Sequence, residues 1–399
     1  MIGGHARRSG NKMVLSPTAL TTPIQVARPK LPPASAIEPY LREIDANGWY
    51  SNQGPLVVRF QARLAAHWGV DVEEVSLLTN ATTALTLALQ ASGVKPGMRC
   101  LMPSWTFVAS AGAVVAAGLK PHFVDVLPST WAPDPNIVER LARQPDVGAI
   151  LIVAPFGAPL DLAAWDAVQR RSGVAVIIDA AAAFDALRAG GPMPAGECPL
   201  IVSLHATKAF GIGEGGALIS RDPDLMRRVR ALQQFGFAGS RASQSPGINA
   251  KISEYAAAVG LAGLDGWDQT RTRWDRVTQA YRAMLPRGLV LTPRYGQEWI
   301  ASTLTVLWPD HRATLPETLA AEGVASLSWW GPGCHAQPAY SGYSSEKLLV
   351  TPIYARRAVG LPFWQDLTVA QVETVCTALG RMLGHHARKR SLPKTLVAA

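Results

Sequence analysis

Between residues 75 and 219 the chain repeats one alternation, and this limits its fold more than any other feature. Short apolar runs, "VSLLT", "RCLMPS", "KPHFVDV", "GAILIVAPFG", "VAVIIDAA" and "PLIVSLHATK", are separated by stretches with helical spacing, among them 107–117 and 160–171. A strand that alternates apolar and polar residues has one wet face, whereas a near-continuous apolar run is buried on both. Buried strands alternating with helices predict an α/β fold, a mostly parallel sheet covered by helices on both faces. An amphipathic helix over 57–68 precedes the alternation, and long helical stretches over 224–235 and 252–285 follow it. From about residue 289 short strands and helices mix, ending in a helix over 369–383, which reads as a smaller α+β C-terminal domain. The expected organisation is a loose N-terminal arm over 1–33, a large domain over 34–270, a small domain over 271–386 and a basic tail over 387–399.

With 399 residues, 48% of them hydrophobic and 17% charged, the chain is long enough to bury such a core. The net charge of +9 is partly carried by the ends, through Arg7, Arg8 and Lys12 and through Arg388, Lys389 and Arg390. No basic stripe interleaved with aromatics runs along a helix, so nucleic acid is not an expected partner. Cys100, Cys198, Cys334 and Cys376 are far apart in the sequence and form no C-x-x-C, so neither a disulfide framework nor a metal site is expected. The first thirty residues lack the apolar core of a signal peptide, and no run approaches the length of a membrane span. These features predict a soluble, cytoplasmic protein.

Residues 211–216, "GIGEGG", spell the G-x-G-x-x-G of a dinucleotide site. That motif must follow a strand and open a helix, with an acidic residue about twenty positions on. Here it is followed by "ALIS" and "RDPD", a strand and a turn, so the glycines read as a turn between two strands. Lys208, just before them, has two readings. A surface lysine is the ordinary one. A lysine held between buried strands is instead desolvated, its ammonium form disfavoured, and its amine free to form an imine. Pyridoxal phosphate (PLP) is the cofactor that uses such a lysine, together with a carboxylate at its pyridine nitrogen. Asp179, at the end of "VAVIID", is a candidate partner, because strand ends carry the sites of open α/β folds. Thr82 and Thr83, where a helix opens in "TNATTALTLAL", offer hydroxyls and backbone N–H groups to a phosphate, or serve as caps.

Together these residues resemble the DegT/DnrJ/EryC1/StrS family of PLP-dependent, fold type I sugar aminotransferases, over about residues 48–383. "GWYSNQGP" is similar to the family's entry segment and "TNATTAL" to its S-N-G-T-x-A-L phosphate loop. "PSWTFVASAGAVVAAGLKPHFVDV" resembles its P-x-x-T-F-x-A-T…G-x-x-P-x-F-V-D block, and "IIDAAAAFDA" its E-D-A-A-Q-A-x-G-A. "SLHATKAFGIGEGGAL", "GINAKISEYAAAVGLAGL" and "LPFWQDLT" are similar to the family's lysine, asparagine and late leucine-proline motifs. The resemblance implies that Lys208 carries the cofactor as an imine, Asp179 pairs with the pyridine nitrogen, and Thr82, Thr83 and Ser203 bind the phosphate. Phe107 would stack on the ring, with Trp105 as the alternative. Asn249 would reach the phosphate of the neighbouring subunit, which implies a homodimer with shared sites; it also reads as a turn residue after Pro246–Gly247. His205, Trp329, Trp330 and His335 are candidates for substrate contact, with local hydrogen bonding and packing as the alternatives.

Two departures from the family pattern stand out. Its Gln or His beside the cofactor's 3-hydroxyl is Ala182, and its Gly three residues further on is Asp185. The implied activity is transfer of an amino group, from glutamate, to a nucleotide-linked keto-sugar. The alternatives are a PLP enzyme with another acceptor or reaction, and a non-catalytic relative.

Overall fold

The computed structural model describes residues 23–391. Seven strands form the main sheet: β1 (Val75–Leu78), β2 (Arg99–Pro103), β3 (Lys120–Val124), β4 (Val147–Val153), β5 (Ala175–Asp179), β6 (Leu200–Ser203) and β7 (Gly216–Ile219). Their order is β1-β7-β6-β5-β4-β2-β3, with β7 antiparallel to both neighbours and all other pairs parallel. The period of two in a strand divides the apolar runs between the faces. Ile150, Ile152 and Ile178 join one buried layer, and Leu151, Val153 and Ile177 join the other. Burying one such side chain contributes about 1.5–3 kcal/mol, and truncating it to Ala in this double-sided core costs about 2–5 kcal/mol. Asp179 follows Ile178 at the end of β5 and so falls on the face of Ile177, the face covered by the helices Ala81–Ala91 and Val108–Ala116.

The helices start where the sequence offers acceptors to their free N–H groups. Asn80 Oδ1 accepts the N–H of Thr83 at 2.8 Å and opens Ala81–Ala91. Pro55–Trp68 opens on a proline, and its next two N–H groups, of Leu56 and Val57, donate to the buried Glu254 carboxylate at 2.7 and 2.9 Å. The stretch 252–285, expected to be helical throughout, is two helices, Glu254–Asp265 and Trp267–Met284, that meet at Gly266. A domain boundary at 270/271 therefore falls inside a continuous helix rather than in a linker.

A second, antiparallel sheet is formed by β8 (Val290–Leu291), β9 (Leu304–Leu307) and β10 (Ala358–Leu361), in the order β10-β9-β8. The helix Val369–Ser391 packs on Trp267–Met284 and runs into the expected basic tail. Residues 392–399 lie outside the described residues, as do 1–22 of the expected arm. The rest of that arm is not loose. Ile24 N–H donates to Gly323 O at 2.8 Å, and Ala325 N–H donates back to Ile24 O at 3.0 Å. Unpaired backbone groups are costly, so these bonds hold residues 24–26 against the C-terminal part of the chain.

Candidate active site

The candidate residues come from the carboxyl ends of β1, β2, β5 and β6, where the strands of an open α/β sheet present their sites. Asp179 is the last residue of β5 and is buried. Its Oδ2 accepts from Ser110 Oγ at 2.7 Å and its Oδ1 from Ala181 N–H at 3.1 Å. Ser110 in turn shares a hydrogen bond of 3.0 Å with Thr106 Oγ1. Burial pushes the Asp179 carboxyl above the usual carboxylate range, partly offset by Ser110, by Ala181 and by the charge of Lys208. The same burial pushes the Lys208 ammonium down, and the charge of Asp179 opposes this. Among the described residues the Lys208 amine has no hydrogen-bond partner. An amine that is desolvated, unpartnered and opposed by one carboxylate is equipped for imine chemistry.

The loop carrying Lys208 is the turn of the β6–β7 hairpin. Leu204 N–H donates to Gly215 O at 2.9 Å and Ala206 N–H to Gly213 O at 2.8 Å, so the glycine run returns the chain as an antiparallel strand and opens no helix. Gly213 has φ +97°, and a Cβ on Gly216 would lie 2.5 Å from the carbonyl carbon of Asn80. Gly216 thus allows β7 to pass against the start of the helix Ala81–Ala91, opposite its register partner Ser203. Thr82, exposed, and Thr83, half-buried, occupy the first turn of that helix, and Ser203 lies buried at the end of β6. A helix N-terminus with neighbouring hydroxyls fits a phosphate. Phe107 precedes the helix Val108–Ala116 and is 55% exposed, so its ring is available to stack on a ligand.

Other candidates are placed differently. Trp105 is buried edge-to-face against Trp330, at 5.2 Å between ring centroids, and does not serve as the stacking ring. Trp330 is itself stacked on Phe156 at 3.9 Å, within a cluster that includes Trp131 and Tyr354. Trp329 lies so close over Gly360 that a Cβ there would meet its Nε1 at 2.2 Å. Both tryptophans are engaged in packing, because their large apolar area is worth more in this cluster than at a wet rim. His205 closes the lysine turn through Thr207, with Nδ1 2.8 Å from Oγ1. His335 Nδ1 lies 2.6 Å from Ser104 Oγ just after β2, and burial holds its imidazole below the usual range. Asn249 is exposed, and its Oδ1 accepts from Lys251 Nζ at 2.7 Å. Among the described residues no contact draws it to Lys208.

The two departures have distinct outcomes. Ala182 brings no side-chain donor to the site, and its carbonyl lies where a Cβ on Gly157 (φ +90°) would sit, 2.2 Å away. Asp185 is fully buried and engaged elsewhere. It accepts from Arg271 Nε at 2.7 Å, Arg188 Nη1 at 3.1 Å and Ile300 N–H at 2.9 Å. It is a structural ion pair, and as a departure it says nothing about the reaction. Ser110 and Thr106 were missed by sequence reasoning. Their signal was their place in the "TFVAS" block, Thr106 directly before Phe107 and Ser110 three residues after it.

A buried carboxylate and an unpartnered lysine at the carboxyl edge of an α/β sheet, beside a helix N-terminus suited to phosphate, define an enzyme that uses PLP. Residues 34–380 match the model of the DegT/DnrJ/EryC1/StrS aminotransferase family, and the chain belongs to that family. It is a PLP-dependent aminotransferase. It is 32% identical to Protein Rv3402c of Mycobacterium tuberculosis (strain ATCC 25618 / H37Rv), over 92% of each chain. It is 31% identical to the GDP-perosamine synthase of Caulobacter vibrioides, over 90% of this chain and 98% of that one. Among solved structures, DesI in the presence of its TDP-sugar product superposes with a TM-score of 0.82 at 33% identity, covering 93% of this chain and 97% of that one.

Proposed function

We propose that the protein moves an amino group from an amino acid, with glutamate as the donor, to the keto group of a nucleotide-linked sugar in amino-sugar biosynthesis. The observation that carries this reading is the intact pair of Lys208 and Asp179 in a chain matched nearly end to end by a GDP-perosamine synthase and by DesI. When bound, PLP supplies an electrophilic carbon and a ring that takes up the electron pair left when the donor's Cα–H bond breaks. Lys208 would hold the cofactor, and its free amine would carry the donor's Cα proton as general base and acid. Its lowered pKa keeps the free amine accessible for this. Asp179, oriented by Ser110 and the N–H of Ala181, would stabilise a positive charge at the ring nitrogen. Thr82, Thr83 and Ser203 hold the phosphate and Phe107 covers the ring. His335, paired with Ser104 just after β2, is the remaining candidate for substrate contact.

The site is completed by a second copy in a homodimer, with Asn249 reaching the partner's phosphate. The exposed large apolar residues Trp49, Tyr50, Phe235, Ile248 and Tyr255 support this, since side chains of that size are seldom left in water. A cytoplasmic location belongs to the same proposal; no helix among the described residues is long and apolar enough to cross a membrane. Ala182 favours a second reading, the same cofactor acting on another acceptor, because the side chain beside the 3-hydroxyl tunes the imine.

The test combines absorbance with mass spectrometry. PLP-loaded protein should show a visible imine band that L-glutamate converts to the pyridoxamine form. A panel of nucleotide-linked keto-sugars should then give one keto-to-amine mass change. A band that no amino acid converts would remove the transaminase reading, and conversion with only non-sugar acceptors would select the second one.

A further inference from the structure

The segment ahead of the first helix is tied down on both sides of Arg28. On one side Phe363 N–H donates to Val26 O at 2.9 Å, and on the other Gln365 Nε2 donates to Lys30 O at 3.2 Å. Lys30 Nζ is also paired with Asp366 at 2.7 Å. Residues 27–30 line one cleft together with residues 206–208, Trp274, Ser302 and Phe363. Arg28 and Lys208 therefore both line this small cleft, although they are far apart in the sequence. Unlike Lys30, Arg28 has no ion pair or side-chain hydrogen bond among the described residues. A guanidinium placed at a cleft and left without a carboxylate of its own chain is a site for an external oxyanion.

We propose that Arg28 anchors the α-carboxylate of the amino donor. The inference rests on the reading that the first substrate is an amino acid, not on its being glutamate. The donor's carboxylate sits on the same carbon from which Lys208 takes the proton, so its anchor must share a cleft with that lysine. The diphosphate of a sugar nucleotide is held away from its reacting carbon by the sugar ring, so this cleft suits it less. A guanidinium fork matches a carboxylate with two parallel bonds. The fixed backbone on both flanks reduces the ordering that binding demands. Trp274 and Phe363 supply apolar surface that strengthens the charge interaction.

The experiment compares the PLP-loaded wild type with Arg28→Ala and Arg28→Lys. L-2-Methylglutamate lacks the α-proton and cannot react onward, so its equilibrium binding is read from the shift of the visible band. Arg28→Ala should weaken this binding about 10- to 100-fold, the range for a lost charge-assisted hydrogen bond. Arg28→Lys should restore part of it. Half-saturation of the pyridoxamine form by a keto-sugar nucleotide should stay unchanged. Unaltered donor binding in Arg28→Ala overturns the proposal, and so does a loss confined to the sugar nucleotide, which would assign Arg28 to the diphosphate. A wild type that binds and converts no amino acid refutes the aminotransferase reading itself. An unchanged visible band in the variants, before donor is added, shows that cofactor and fold are retained.

Discussion

Replacing Asp185 by Ala removes a fully buried carboxylate that holds three separate parts of the chain. Its partners are Arg188 in the same loop, Arg271 in the helix Trp267–Met284, and the backbone N–H of Ile300. The N–H of Ile300 would be left unpaired in a buried site, which costs about 1–3 kcal/mol. The ion pairs add less than a wholly buried pair would, because the Arg188 and Arg271 side chains are 28 and 36% exposed and can return to water. The total is about 2–4 kcal/mol, centred below the about 3–5 kcal/mol for breaking a fully buried pair. Asp185→Asn retains an acceptor for Ile300 and should lose about half as much. The assay is urea denaturation at fixed protein and PLP concentration, since both ligand and subunit association shift apparent stability. The visible band and the rate of its conversion by the donor should stay within twofold of wild type, because every partner of Asp185 lies outside the lysine turn. A double-mutant cycle with Arg271→Gln should show coupling of about 1 kcal/mol or more. A variant of near-normal stability whose cofactor band or donor reaction is changed would refute this account, and would return Asp185 to the chemistry.

Three further outcomes follow from the same geometry. Ser110→Ala removes the hydroxyl that lowers the Asp179 pKa and orients its carboxylate. It should reduce kcat/KM for the donor half-reaction about tenfold, measured by stopped-flow absorbance. Gly216→Ala drives a Cβ to 2.5 Å from Asn80, disturbing the helix start proposed to hold the phosphate. Its PLP affinity should fall by at least about tenfold in equilibrium dialysis, the effect of losing one charged contact. His67 stacks on Phe184 at 4.6 Å, and burial lowers its pKa to about 4. The unfolded chain takes up this proton near pH 6.5, so stability is full above that pH and is lost as pH falls towards about 4. His67→Phe should flatten the pH dependence of stability in this window by up to about 1.4 kcal/mol per pH unit; an unchanged slope would place the titration elsewhere.

Some of this was open to reading from the chain alone. Apolar runs such as "GAILIV" and "VAVIID" specify strands buried on both faces because hydrophobic patterning is local, and local pattern is what a sequence displays. Lys208 and Asp179 stood out for the same reason, each a charged residue at the end of such a run. The glycine run was legible only through its context, a strand after it where a dinucleotide site needs a helix. The sequence left alternatives open where one residue type has two fates. Trp105 and Phe107 are both aromatic and only two positions apart in the motif, yet the first is in the core and the second is half in water. Asp185 looked like a disturbance in a catalytic loop until its partners, Arg271 and Ile300, were located.

What the sequence by itself determined is therefore the alternating α/β architecture, the lysine and its carboxylate, and the family to which they belong. Tertiary structure decided the remainder: the hydroxyl chain from Thr106 through Ser110 to Asp179, the packing of Trp329 and Trp330, the ion pairs of Asp185, and the tether that brings Arg28 to the lysine's cleft. Each of these depends on contacts between segments distant in the chain, as with Ser110 and Asp179, 69 residues apart. Periodicity and motif spacing describe neighbours along the backbone. Which distant side chains meet is settled only when the sheet, its covering helices and the returning terminal segments pack together.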